Sequence, residues 1–335
     1  MSALTGRFSR ALRDRPFLTV PLFLCLYGFG TIDTTDFFLL SANPAQLNPE
    51  VHRQFLQFSP LPYFLGYPLT HTLGPRPSFA IVMLGGLLLF TLSLRRFAAT
   101  RYGARRNDAI LMVFATPLLI VLTQYFGKSD SFLAASFFLL LAARTTPGQL
   151  GCAALVVISH FEIGSIILAS AVFLSLVRAR VLVGGMAGAL VLFAYHYLWL
   201  PSPPQSRANL GASYLVEAFS IAAATPIAHL VWTFGPFWWC VTRAWPLHWR
   251  WAVVFAGAFG LATVTLDFTR VFVLVGLPLI VVTIDRVLAR LEAPEPRWLT
   301  ALPYFAYVQA HLLSAHYYDS RISELAARVF GFSSR

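Results

Sequence analysis

The chain has 335 residues, of which 57% are hydrophobic and only 12% charged, with a formal net charge of +11. Soluble domains carry about 25% charged residues, so this composition excludes an ordinary water-soluble globule and makes lipid the solvent for most of the chain. The positive charge does not indicate nucleic acid, because the arginines stand in short clusters between apolar runs, as the positive-inside rule expects.

Apolar runs place helices near 17–32, 78–94, 109–124, 131–143, 149–159, 163–177, 181–200, 213–241, 251–266, 271–285 and 299–316. These predict an all-α polytopic transmembrane bundle of about 9–11 spans, forming a single integral membrane domain over 1–335. Barrel strands would alternate in polarity, whereas these runs are apolar on all sides.

Arg7, Arg10, Arg13 and Arg15 precede the first run in the manner of a signal peptide. No small-x-small cleavage pattern follows, which favours an uncleaved first span. The segment 33–77 then forms a long outer loop. Within it Pro44, Pro49, Pro60, Pro62, Pro68, Pro75 and Pro77 break any long helix, and 50–58 suits a short interfacial helix. Loops of this length in compact domains usually carry function.

The stretch 149–177 is interrupted by His160-Phe161-Glu162 and flanked by Arg144 and Arg178. One tilted helix and a broken pair both fit its length, but only the pair brings both arginine flanks to one side. The connector 201–212 is rich in Pro and Ser. In the tail 318–335, residues 320–329 form a mildly amphipathic segment suited to the outer surface. Cys25, Cys152 and Cys240 lie in or beside apolar runs without metal-site spacing and read as packing residues. The aromatic run Trp232, Phe234, Phe237, Trp238, Trp239, Trp245, Trp249 and Trp251 reads as an interfacial belt on the inner side.

With the N-terminus inside, the inner segments collect the first four arginines with Arg95, Arg96, Arg101, Arg105, Arg106, Arg144, Arg178, Arg180, Arg243, Arg250, Arg286, Arg290 and Arg297. The ionisable residues at the other ends of the spans need a different cause. Asp33 and Asp36, at i and i+3, share a helix face and suit a cation contact or a general base, or merely cap a helix. Lys128, the single lysine of the chain, offers a point charge to a phosphate oxygen. Beside it, Ser129 or Asp130 also suits an N-cap. His160 and Glu162 would each cost about 2.5–3.5 kcal/mol in mid-helix unless paired, metal-bound or wet, and a structural His–Glu pair is the bland alternative. Asp267 and Arg270 close the set, either as a phosphate contact or as a salt bridge across a turn. Glu217, His311, His316 and Asp319 are weaker members. His196 and His229 read as hydrogen-bonded core residues.

Carboxylates, one lysine, one arginine and a histidine at a membrane-edge cavity fit transfer chemistry on a lipid-linked phosphate. In this layout the chain resembles the GT-C superfamily of polytopic membrane glycosyltransferases. The likeness rests on Asp33 and Asp36 in the first outer loop, on Lys128-Ser129-Asp130, and more loosely on His160 to Glu162 and Asp267 to Arg270. Asp-x-x-Asp departs from the family's commoner adjacent or one-spaced acids, and the chain lacks its frequent C-terminal soluble domain.

The resemblance implies transfer of a hexosyl or pentosyl unit from a polyprenyl-phosphate-linked sugar to a glycan or lipid acceptor on the outer face. Asp33 or Asp36 would be the catalytic base or a metal contact. Lys128, His160 and Arg270 would bind the donor phosphate. Asp130 and Glu162 would ligate a divalent cation such as Mg or Mn or support its ligands, and no nucleotide would be needed. Arginine-heavy usage points to a bacterial cytoplasmic membrane, with the N-terminus cytoplasmic and the active face periplasmic or external. The rival readings are a polysaccharide polymerase or flippase, an ion-coupled transporter, and a purely structural membrane subunit.

Overall fold

The computed structural model describes residues 11–27, 34–124, 127–204, 216, 230, 233–265 and 268–290. Every regular element among them is helical. Besides short 3-10 turns at Pro16–Leu18, Gly103–Arg105 and Gly235–Phe237, these are in chain order α1 (Thr19–Tyr27), α2 (Thr34–Ala42), a 3-10 helix (Val51–Phe58), α3 (Leu61–Leu73), α4 (Pro75–Tyr102), α5 (Arg106–Phe114), α6 (Leu118–Gln124), α7 (Asp130–Ala142), α8 (Thr146–Ser159), α9 (Phe161–Phe173), α10 (Val181–Ala194), a π turn (Tyr195–Trp199), α11 (Trp238–Ala244), α12 (Trp249–Thr263), α13 (Phe268–Val275) and α14 (Leu277–Arg290). The chain divides into a first unit (Met1–Gly30, Ala98–Phe126, Ile221–Arg335) and a second (Thr31–Phe97, Gly127–Ser220).

The prolines of 33–77 start helices more than they stop them. α3 carries Pro62 in its first turn and α4 opens at Pro75, positions where the missing N–H has no partner to lose. The supposed loop is therefore α2, the 3-10 helix, α3 and the head of α4. Pro117 acts the other way and splits the expected span 109–124 into α5 and α6. Thr116 patches the break: its Oγ1 donates to the Val113 carbonyl at 2.6 Å and accepts from the Leu118 N–H at 3.2 Å.

In the second unit α7 and α8 pack side by side, joined by residues 143–145, and Thr145 caps α8 by accepting the Gly148 N–H at 3.3 Å. The run 149–177 is a broken pair. His160 takes an extended conformation (φ −161°, ψ 106°) between α8 and α9, and α9 returns so closely that a Cβ on Gly164 would strike the Val156 carbonyl. Cβ atoms on Gly184 and Gly188 of α10 would likewise strike the carbonyls of Leu150 and Ala154. A step of four on both helices means that α10 runs parallel to α8, with α9 antiparallel to both. Phe37, Phe90, Phe97, Phe137 and Phe138 are buried in this unit's core.

The first unit packs α12, α13 and α14 around an aromatic stack. Phe234, Phe237 and Phe272 are fully buried, and Trp251 lies parallel to Phe255 at 5.2 Å between centroids. The run read as an interfacial belt is thus divided. Phe234, Phe237 and Trp251 are core residues, while Trp245 and Trp249 are exposed. Arg–Asp pairs tie one region of this unit together. Arg101 grips Asp285 with two bonds of 2.7 Å, and Arg13 donates to Asp108 at 3.2 Å.

Two helical runs among the described residues are long and apolar enough to cross a membrane, Pro75–Phe114 and Val181–Trp199. α13 and α14 qualify together, bent by 57°. α7, α8 and α9 have 13, 14 and 13 residues, about 20 Å each at 1.5 Å per residue against a hydrocarbon core of about 30 Å. Most of the expected runs 213–241 and 299–316 lies outside the described residues. On α10, Val183, Met186, Leu190 and Val191 are exposed, an apolar stripe such as lipid would cover.

Candidate functional site at one end of the second unit

Antiparallel packing with a three-residue joint sets the start of α7 level with the end of α8. Asp130 and His160 therefore stand at the same end of the helix pair. Asp130 opens α7 and is 1% exposed, placing a carboxylate where the partial positive charge of a helix N-terminus favours it. Ser129 is the N-cap residue, but its side chain makes no capping bond. Lys128 is half-buried beside Gly127, which holds φ 131°. That torsion suits glycine and forms the sharp turn presenting Lys128-Ser129-Asp130.

His160 is 8% exposed, and the neighbouring Ser159 is fully buried with an Oγ that has no hydrogen-bond partner among the described residues. Glu162 is exposed. The two ionisable groups that interrupt the apolar run therefore differ in burial, His160 standing in the extended joint and Glu162 in the first turn of α9.

The same end is covered by residues 43–58, and Asp36 holds that cover in place. Its Oδ1 accepts from Asn48 Nδ2 at 2.7 Å and its Oδ2 from Arg53 Nη1 at 2.5 Å, while Arg53 Nε also meets Glu50 at 2.9 Å. The Asn48 N–H donates to Gln57 Oε1 at 3.3 Å, and Gln57 Nε2 donates to the Gln46 carbonyl at 3.0 Å. The cover rests on the helices below through Phe58, whose ring lies 6.3 Å from Phe161 and 4.6 Å from His196. Tyr195 donates its hydroxyl to the Pro44 carbonyl at 2.9 Å, and His196 Nε2 is 3.0 Å from the Gln57 carbonyl oxygen. His196 is the hydrogen-bonded core residue expected of it.

Between the cover and α10 opens an apolar cavity of about 480 Å³, walled by Phe58, Phe161, Met186, Leu190, Phe193 and His196. Asp36, Lys128, Asp130, His160 and Glu162 thus all belong to one end of one unit. Arg270 is buried, 2% exposed, in α13 of the first unit. Asp33 and Asp267 lie outside the described residues, as do Glu217, His229, His311, His316 and Asp319. Among the described residues no three His, Cys, Asp or Glu side chains gather to hold a metal ion.

Asn48, Arg53 and Gln57 escape a reading by residue type. Their significance lies in reaching across 12 and 17 residues to Asp36 and across 138 to Tyr195. The one local trace was Glu50 three residues before Arg53. Gly184-x-x-x-Gly188, by contrast, has a sequence spacing that permits close helix approach.

No family model, curated protein or solved structure matches the chain.

Proposed function

We propose that the chain is a polytopic membrane glycosyltransferase that moves a sugar from a polyprenyl-phosphate donor to an acceptor at the membrane surface. The observation that carries this reading is the burial of Asp36, Asp130 and His160 at one end of an otherwise apolar helical unit. Ionisable groups in such surroundings are retained where they pair or act on a substrate. Asp36 is engaged on both oxygens and holds the cover. In this reading the acceptor-activating carboxylate is Asp33 or Asp130, and Lys128 and His160 contact the donor phosphate. Stabilising charge on a departing phosphate in a site shielded from water is worth several kcal/mol of barrier. The apolar cavity beside Phe161 suits a hydrocarbon chain attached to that phosphate.

The test uses the full chain in nanodiscs with polyprenyl-phosphate-linked hexoses and pentoses, followed by release of polyprenyl phosphate. Turnover that is lost in Asp33→Asn or Asp130→Asn, with folding intact, is the expected result. Turnover unaffected in both would overturn the assignment of the base.

A second reading has its own observation. The break at His160 and the 57° bend between α13 and α14 are interruptions of the kind found where ion-coupled transporters bind substrate. Proton- or sodium-driven uptake into proteoliposomes, without any release of polyprenyl phosphate, would select it.

A further inference from the structure

The opposite end of the second unit carries a different kind of site. The α7–α8 joint brings Arg144 there, and the α9–α10 joint brings Arg178 and Arg180. Together they line a cleft of about 810 Å³ with Gln149, Val172 and Leu176. No carboxylate lines this cleft. None forms a salt bridge to Arg144, Arg178 or Arg180 among the described residues; Arg180 Nη2 donates to Gln149 Oε1 at 3.0 Å, and Gln149 Nε2 donates to the Ala143 carbonyl at 3.0 Å. Arg13 and Arg101 of the first unit differ, being answered by Asp108 and Asp285.

The turn that presents Arg178 and Arg180 is rigid. The Leu176 N–H bonds to the Ala171 carbonyl and the Ser175 N–H to that of Val172, each at 2.9 Å. Both bonds belong to a Schellman closure of α9. Ser175 occupies its left-handed position at φ 61°, a torsion that costs a residue with a side chain about 1 kcal/mol. The N–H groups of Val181, Leu182 and Val183 are taken by the carbonyls of Arg178, Ala179 and Arg180, so the start of α10 offers an anion none of these three, and the charged donors of the cleft are the guanidinium groups.

We propose that Arg144, Arg178 and Arg180 bind the phosphate of an anionic phospholipid headgroup, with Val172 and Leu176 against the start of its acyl chains. A guanidinium fork matches phosphate oxygens in pairs, and unpaired basic clefts between membrane helices recruit such headgroups. Val172, Leu176 and Val177 beside the guanidinium groups favour a lipid over free phosphate. This inference rests on the membrane reading of the chain and is independent of the transferase chemistry, so failure of the sugar-transfer assay leaves it standing.

The experiment is equilibrium binding of the full chain in detergent to phosphatidylglycerol, phosphatidylcholine and inorganic phosphate. Phosphatidylglycerol should bind at least about tenfold more tightly than phosphatidylcholine, each arginine contributing about fivefold. Arg144→Gln/Arg178→Gln/Arg180→Gln should remove the preference, and inorganic phosphate should compete only weakly. The variant Arg76→Gln/Arg243→Gln/Arg286→Gln removes three charges elsewhere and should keep it. An equal loss in that variant, equal affinity for phosphatidylcholine, or full competition by inorganic phosphate would each overturn the proposal. Should the triple cleft variant fail to fold, Arg178→Gln alone decides, with about fivefold weakening expected and unchanged binding overturning the site.

Discussion

Arg53 Nη1 donates to Asp36 Oδ2 at 2.5 Å across seventeen residues of chain, and the Asp36 carboxylate it meets is buried. The pair fastens the segment over the His160 end of the second unit to α2. Removing one partner of a buried charge costs more than the pair contributes, because the remaining charge keeps its desolvation penalty. Arg53→Ala should therefore lower stability by about 1–3 kcal/mol, softened because the Arg53 side chain is itself 38% exposed. Asp36→Asn should cost less, since an amide oxygen still accepts from Arg53. Thermal unfolding in detergent checks the order, and limited proteolysis should show 43–58 cut faster in Arg53→Ala. Equal resistance of that segment in both proteins would refute its role as a fastened cover.

Gly184 and Gly188 are backbone-to-backbone contacts with α8, and a side chain at either would meet a carbonyl that cannot move aside. Gly184→Val or Gly188→Leu should separate the parallel helices at a cost of at least about 1–3 kcal/mol. Gly185→Ala should be milder, because its nearest neighbour is the flexible end of Leu168. Gly257→Ala and Gly260→Ala meet nothing within 4 Å and stand inside α12. They should be neutral or stabilising by up to about 1 kcal/mol, the helix-propensity gain of alanine. A thermal-unfolding series over the five variants tests the ranking.

The bidentate grip of Arg101 on Asp285 joins the end of α4 to α14 across 184 residues of sequence. Both side chains are about one-third exposed, so the pair is worth about 1 kcal/mol and weakens with salt. Arg101→Lys keeps the charge but loses the fork. It should destabilise nearly as much as Arg101→Gln, with most of the difference from the parent protein gone at 1 M salt. A lysine variant indistinguishable from the parent at low salt would show that charge alone matters there.

How far these features were legible depends on the range of the interaction. The broken pair around His160 was readable because two ionisable residues in an apolar run and the flanking Arg144 and Arg178 constrain the chain locally. All-helical architecture followed from composition for the same reason. Within 33–77 the short helix at 50–58 is legible in the sequence, but its neighbours are not, because proline breaks a helix interior yet starts a helix at Pro62 and Pro75, and residue type does not say which applies. Asp130 and Glu162 were read alike, although one is buried and the other exposed. That difference is set by which face of the helix meets a neighbour. The aromatic run divided into core and surface by the same rule. The fastening of Asp36 by Arg53 and Asn48 was invisible, since it requires knowing that the chain folds back over itself.

The chemistry proposed for the second unit makes its most specific claim at Lys128, whose turn is set by Gly127 and followed directly by the buried Asp130. An ammonium acting on the donor phosphate contributes charge where negative charge grows as the lipid phosphate departs. Its loss should then appear in kcat more than in KM. Lys128→Gln should lower kcat about 100-fold or more, the scale of one preorganised donor. Lys128→Arg should recover part of the rate. Asp130→Asn separates two roles. As the acceptor's base Asp130 would lose kcat with little change in stability, whereas as a partner of the α7 N-terminus it would lose about 0.3–1 kcal/mol of stability and keep its rate. Measuring kcat, KM and thermal midpoint on the three variants together decides between a reacting group and a merely structural carboxylate.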